Sequence, residues 1–176
     1  MHVQGGEPER FELQAWWGPE SIPLAPAQER ALLCSVGSAR FAVPIHYLRG
    51  VEAYGAVTPL PHVPPWVLGL TNVRGTVVGV VDLGRFLELG EVQLGQARLL
   101  LCGDGPRLAA LAVGAAREVL DYPPASAQPA ATLALPGGAA RGRIARFVAG
   151  LIQTGTAAVP LLAVGQLLAD EELLTG

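Results

Sequence analysis

Apolar residues in this chain come in short runs broken by glycine, proline and turn-forming polar residues, a spacing that predicts strands rather than helices. Trp66–Leu70 and Thr76–Leu83 are two such runs, the second with valine at 77, 78, 80 and 81. β-Branched residues at that density favour extended, packed backbone. Between the runs lies Thr71-Asn72-Val73-Arg74-Gly75, whose glycine permits a turn. Ala31–Val36 and Arg40–Pro44 flank Gly37-Ser38-Ala39, while Arg98–Cys102 and Arg107–Val113 are joined across Asp104-Gly105; both read as hairpins. Ala115–Leu120 leads into a proline- and alanine-rich loop, Tyr122 to Gly138. Strands are expected again over Ile144–Ile152 and Ala157–Leu162, with Gly155 between them. Ile45–Val51 fits either a helical turn or a strand. Phe86 and Leu87 predict a short helix closed by Gly90, and Val164–Leu174, with leucines at 167, 168, 173 and 174 among acids, an amphipathic helix. About five short strands in each half of the chain predict small β-barrels rather than a parallel sheet.

Residues 1–29 break this pattern. They are mostly polar and punctuated by Pro8, Pro19, Pro23 and Pro26, which predicts a flexible tail removable without unfolding the barrels. Trp16-Trp17 is the exception, because adjacent indoles are unfavourable in water and are expected to dock on this chain or a neighbour.

Composition narrows the function classes. With 176 residues, 51% hydrophobic and 15% charged, the chain can build one domain or two lobes sharing a core. The net charge is −3, every cation is arginine, and no basic run occurs, which argues against nucleic acid or an anionic membrane as partner. No apolar run reaches the ~18 residues of a membrane span, and the acidic N-terminus is unlike a signal peptide, so a cytoplasmic location is expected. Cys34 and Cys102 each sit inside an apolar run and read as buried free thiols rather than a disulfide.

A catalytic constellation is not legible. Without lysine there is neither a phosphate-binding loop of the Walker type nor a Schiff-base amine. His2, His46 and His62 match no zinc spacing, and none of Ser21, Ser35, Ser38 and Ser126 sits in a nucleophile elbow. No cofactor, metal or catalytic residue is therefore expected. Asp82 is the one acid inside the central apolar stretch, and its expected role is structural: ending the strand and capping the turn that follows. Asp170, Glu171 and Glu172 read as a solvated helix face.

Arg74 is the one cation between Arg49 and Arg85. It is either an ordinary surface arginine on a hairpin or a side chain held ready for a partner. The residues around it decide the emphasis. Leu60-Pro61, Pro64, Trp66, Val67, Gly69, Leu70, Asn72, Val73, Arg74, Gly75, Val77, Val78, Val81, Asp82 and Leu83 form one gap-free run. That run resembles the signature of the CheW family, the coupling proteins of bacterial chemosensory arrays, and weaker similarity extends over residues 30–172. The resemblance implies a mainly β fold: two SH3-like five-stranded barrels sharing a core, with short helices and a C-terminal helix, and residues 173–176 as an end piece. It also implies a non-enzymatic adaptor between the cytoplasmic tip of a methyl-accepting chemoreceptor and the regulatory domain of a CheA-type histidine kinase. The receptor-binding groove would involve Leu48, Val51, Val73, Arg74 and Gly75, and the kinase-binding surface Val57, Leu60 and Gly69. Two positions depart from the family pattern. Gly50 stands where a glutamate that can pair with the arginine is usual, with Glu52 nearby, and Gly114 stands where many relatives carry aspartate. These departures keep an alternative open: a divergent member serving another chemosensory-type pathway, pilus or gliding motility, with altered partners.

Overall fold

The chain was studied as a computed structural model, which describes residues 28–124, 142–155 and 157–175. Ten strands form among these residues: β1 (Glu29–Val36), β2 (Ala39–Pro44), β3 (Leu48–Ala53), β4 (Val67–Val73), β5 (Thr76–Asp82), β6 (Arg98–Asp104), β7 (Arg107–Val113), β8 (Ala116–Tyr122), β9 (Val148–Thr154) and β10 (Ala157–Leu162). Two short helices, α1 (Leu83–Phe86) and α2 (Val164–Ala169), follow β5 and β10. The strands make two five-stranded sheets, ordered β8-β1-β2-β10-β9 and β3-β6-β7-β5-β4. The mainly β, double-sheet architecture expected from the spacing is the one observed. Trp16-Trp17 and most of the Tyr122–Gly138 loop lie outside the described residues.

The sheets are not the two halves of the chain. The second is built from the contiguous stretch β3–β7, whereas the first takes two strands from the N-terminal side and three from the C-terminal side. Each contains one parallel pairing, β2 with β10 and β5 with β7, and the β1–β8 ladder is a second long-range link between the N- and C-terminal pieces of the first sheet. The registers nevertheless repeat. Gly69 faces Val80 after a bulge in β4, and Gly150 faces Leu161 at the matching irregularity between β9 and β10. Val51 faces Leu100 and Val119 faces Leu32, each pair just past a bulge. The two sheets are thus one strand plan used twice, its second copy completed by the start of the chain.

Strand alternation distributes the core into three layers. Leu100, Cys102, Leu111 and Val113 of one sheet meet Leu32, Cys34, Phe41 and Val43 of the other in a shared central cluster. The opposite faces fill each sheet's own interior: Ala31, Leu33, Ala42, Tyr122 and Ile152 in the first, Val78, Val80, Leu99, Ala110 and Ala112 in the second. Both cysteines are buried and free, and desolvation pushes each thiol up to about 12.

Asp82 is 1% exposed and does what its position predicts. Its carboxylate accepts from the Arg85 amide (3.0 Å) and the Val92 amide (3.1 Å), capping α1 and pinning the following loop. Two expectations need correction. The segment before β9 is not strand: Arg143–Phe147 is a 3₁₀ turn that buries Ile144 and Phe147 in the shared core, and β9 starts only at Val148. The C-terminal helix is not continuous to Leu174. It ends at Ala169, and Asp170 is extended, its carboxylate accepting from the Glu172 amide (2.9 Å) and pairing with Arg146 (2.8 Å). An aspartate offering its own cap competes with helix continuation. The three acids therefore do not line one solvated helix face. Glu172 pairs with Arg143 (3.0 Å), whose guanidinium lies over Trp66 and Phe86, while the indole of Trp66 donates to the Glu172 carbonyl (3.2 Å). Leu173 is buried beside them, so the last residues strap the two sheets together.

Candidate functional site

The β4–β5 hairpin turns on two residues, Arg74 and Gly75, with φ of +50° and +87°. Two positive φ values define a turn whose twist matches the flanking strands, and asparagine and glycine are its favoured residues. Asn72 braces it by accepting from the Gly75 amide (2.8 Å). An arginine in the first position carries a steric penalty of ~1 kcal/mol that a glycine would not. The fold holds a strained, charged side chain at a hairpin tip, an outlier that points to use rather than stability.

The hairpin lies at a seam. β3 and β4 are the two edges of the second sheet and share no backbone ladder. Across this gap the Arg74 guanidinium reaches Glu52 Oε1 at 3.1 Å, with the two side chains 79% and 41% exposed. A cavity of about 790 Å³ opens on one side of the pair, lined by Thr58, Leu70, Thr71, Val77 and Leu99 among others, and one of about 320 Å³ on the other, lined by Arg49, Gly50, Leu101 and Leu108. Both share Glu52, Val73 and Arg74. The ion pair is a bar across one cleft.

The repeated strand plan supplies an internal comparison. Register places Leu120 at the position equivalent to Glu52 and Ile152 at that equivalent to Thr71. In the first sheet both pack into its interior cluster, so that seam is apolar. Among the described residues, only the second sheet carries an ion pair across its seam.

The residues expected in the receptor groove do not all share one face. Val73, Arg74 and Gly75 form the hairpin tip, and Glu52, which was not among the expected groove residues, joins them. Leu48 and Val51 pair with Cys102 and Leu100, whose side chains enter the shared core, so they lie on the other side of β3 from Glu52. Leu48 is half-buried there and Val51 is 44% exposed. The two groups meet around the free edge of β3. Glu52 was findable from the strand period: two residues after Gly50, it occupies the same face of β3. Gly50 has open space around it, with Glu52 Oε1 the nearest atom to an added Cβ at 4.0 Å. Gly114 is different, since a Cβ there would stand 2.2 Å from Ser35 Oγ, the hydroxyl that accepts from the Ala115 amide. A larger residue there would have to displace that hydroxyl from its hydrogen bond, which favours glycine.

Val57, Leu60 and Gly69 are brought near one another. Thr58 exchanges two backbone hydrogen bonds with Leu70 (2.8 and 2.9 Å), laying the 56–60 segment along β4. Gly69, at φ +137°, has the Thr58 carbonyl 2.1 Å from where a Cβ would stand, so only glycine admits this approach. Val57 packs on the second sheet's interior and Leu60 is exposed.

Among the described residues no cluster of three or more metal-ligating side chains occurs, and no helix is long and apolar enough to cross a membrane. Comparison with known proteins places this geometry. The chain is 40% identical over 76 residues to protein FrzA of Myxococcus xanthus, covering 43% of this chain and 48% of FrzA. It is 29% identical over 100 residues to chemotaxis protein CheW of Rhizobium meliloti, covering 56% of this chain and 64% of that one. With CheW of Klebsiella aerogenes identity is 23% over 143 residues, 81% of this chain and 82% of the relative. The matched stretch thus spans about half of FrzA and less than two thirds of the Rhizobium protein. In three dimensions the scaffolding protein TtCheW from Thermoanaerobacter tengcongensis superposes with a TM-score of 0.67 at 20% identity, covering 77% of this chain and 89% of that one, which establishes the shared fold. The sequence model of the CheW-like domain matches residues 30–172, and with the signature run folded into the β4–β5 hairpin and its flanks, the chain belongs to the CheW-like domain family.

Proposed function

We propose that the protein is a non-enzymatic adaptor that couples the cytoplasmic tip of a methyl-accepting chemoreceptor to the regulatory domain of a CheA-type histidine kinase in the cytoplasm. The observation that carries this reading is Arg74, held in a left-handed turn at the edge of an open cleft and paired, among the described residues, only with a partly exposed carboxylate. A guanidinium presents five donors and is always charged, so it is suited to a carboxylate on a partner helix. Leu48, Val51, Val73 and Gly75 supply the apolar and backbone surface around it. The 56–60 segment with Gly69 offers a second surface, on which Val57 and Leu60 would meet the kinase. Calorimetry with the two partner fragments tests the reading: micromolar binding, about −8 kcal/mol, is expected for the kinase regulatory domain. No heat with either fragment at high micromolar concentration overturns it.

A second reading is favoured by Gly50 and by the 40% identity with FrzA. In it the protein serves another chemosensory-type pathway, pilus or gliding motility, with the same fold and altered partners. Binding to a kinase of that pathway, but not to a flagellar one, distinguishes the two.

A further inference from the structure

We propose that the seam between β3 and β4 is a strand-binding site, taking an extended peptide that alternates apolar and polar residues and carries an acid to meet Arg74. Two strand edges face the same cleft there. In β4 the amide and carbonyl of Leu70 point away from β5 and bond Thr58 (2.9 and 2.8 Å). Strand backbone alternates, so Asn72 points its N–H and C=O the same way, with no strand beside it among the described residues. On β3 the Tyr54 amide donates to the Ala97 carbonyl (3.1 Å), and Glu52 shares that direction. The backbone groups of Val51 and Ala53 are thereby turned toward the seam. Unpaired edge groups of this kind are a template for another chain.

The seam has the dimensions of one added strand. Neighbouring strands lie about 4.8 Å apart, so a strand set between two others needs a gap of about 10 Å. β3 and β4 stand more than 8 Å apart, Cα to Cα, along most of their length, and the cavity of about 790 Å³ opens between them. Strand directions agree as well. β3 and β4 run in opposite senses, so an inserted strand is parallel to one and antiparallel to the other, as β7 already is to β5 and β6. The bridge at Thr58 is a precedent within the chain: this edge of β4 already accepts extended backbone.

The lining selects the peptide. Thr71, Val73 and Leu99 form the inner wall, and Val77, 63% exposed, stands on the rim opposite Asn72, so alternate apolar side chains gain by burial. The charged residues along the seam are Arg49, Arg74 and Glu52, two cations to one acid. An acid on the peptide offsets that excess and exchanges with Glu52 at the exposed guanidinium. The site adjoins the receptor contact suggested above but does not rest on it, because backbone groups rather than a helix face make the recognition.

The test titrates the full chain, isotope-labelled for NMR, with the peptide acetyl-Val-Thr-Val-Glu-Val-Thr-amide. The expected result is saturable shifts of the Val51, Ala53 and Asn72 amides, with hydrogen exchange there slowed about tenfold. The same peptide N-methylated at its three valines loses ladder donors and should bind about tenfold more weakly. Glu52→Leu with Thr71→Ile copies the seam of the first sheet, where Leu120 and Ile152 fill the equivalent positions, and should abolish binding while the barrels stay folded by melting. The two peptides need no substitution, so they decide the matter even where the double variant fails to fold. No shifts at millimolar peptide, equal binding of the N-methylated peptide, or unchanged binding to a folded double variant each overturns the proposal.

Discussion

Arg74 and Glu52 meet at 3.1 Å across the gap between β3 and β4, linking two edges that no backbone hydrogen bond joins. Both side chains remain largely in water, so the pair contributes at most ~1 kcal/mol. Replacing Arg74 by alanine is expected to leave thermal unfolding within a few degrees of wild type. Affinity for the receptor fragment should fall by ~2 kcal/mol, about 30-fold, as truncated hot-spot arginines do. If the variant unfolds, or if every partner affinity is unchanged, Arg74 is structural and the seam is not the working surface.

Arg74→Gly separates strain from charge. Glycine accepts a φ of +50° without penalty, so the variant should gain ~1 kcal/mol, or about 2–4 °C in melting temperature, while losing binding as the alanine variant does. A lower melting temperature would show that the ion pair outweighs the backbone strain.

Gly50→Glu restores the carboxylate usual in the family at a position with room for it. A stability change within ~0.5 kcal/mol is expected, as for other open surface sites. The added carboxylate competes for Arg74 and should weaken receptor binding by about fivefold, or ~1 kcal/mol. Tighter binding in calorimetry would mean that the partner reads the carboxylate rather than the arginine.

Leu173 anchors the C-terminal strap in the shared core beneath the Trp66–Glu172 contact. Leu173→Ala should lower stability by ~2–5 kcal/mol in denaturant titration. A loss under ~1 kcal/mol would mean that the strap merely rests on the sheets.

Alkaline pH should expose the two thiols. In the folded chain they stay protonated until about 12, whereas their ordinary value is 9.0. Above pH 9 the unfolded chain sheds these protons and the folded chain does not. Their contribution is therefore complete below 9 and is lost as pH rises toward 12, at ~1.4 kcal/mol per unit per thiol. Thiol titration of the native protein at pH 8 should find neither cysteine reactive, and denaturation should release both. Rapid native labelling would contradict their burial.

The sequence made legible what short-range chemistry decides. Valine density marked β5, Asp104-Gly105 and Arg74-Gly75 marked their turns, and a lone acid at Asp82 marked a cap. Long-range pairing was not legible. The β2–β10 and β5–β7 contacts join strands far apart in the chain, so no local run or turn signal marks which strands they pair. Ile144 and Phe147 are apolar enough for a strand, yet their burial is achieved from a 3₁₀ turn, with the Arg146 guanidinium over the Phe147 ring. The helix break at Asp170 arises from a side chain that caps its own successor, a choice invisible to hydrophobic period. At the site, the turn was evident, but the opposite facing of Leu48 and Glu52 on β3 required the register.

The order of strands also governs how the molecule is made. Strands β3–β7 form one uninterrupted stretch, so the second barrel has all its partners as soon as Val113 has left the ribosome. β1 and β2, synthesised first, must wait for β8, β9 and β10 before their own barrel closes. During that interval their hairpin edges and half of the shared core stay uncovered. High contact order of this kind slows folding and leaves sticky intermediates, so the earliest-made strands are the last to be protected.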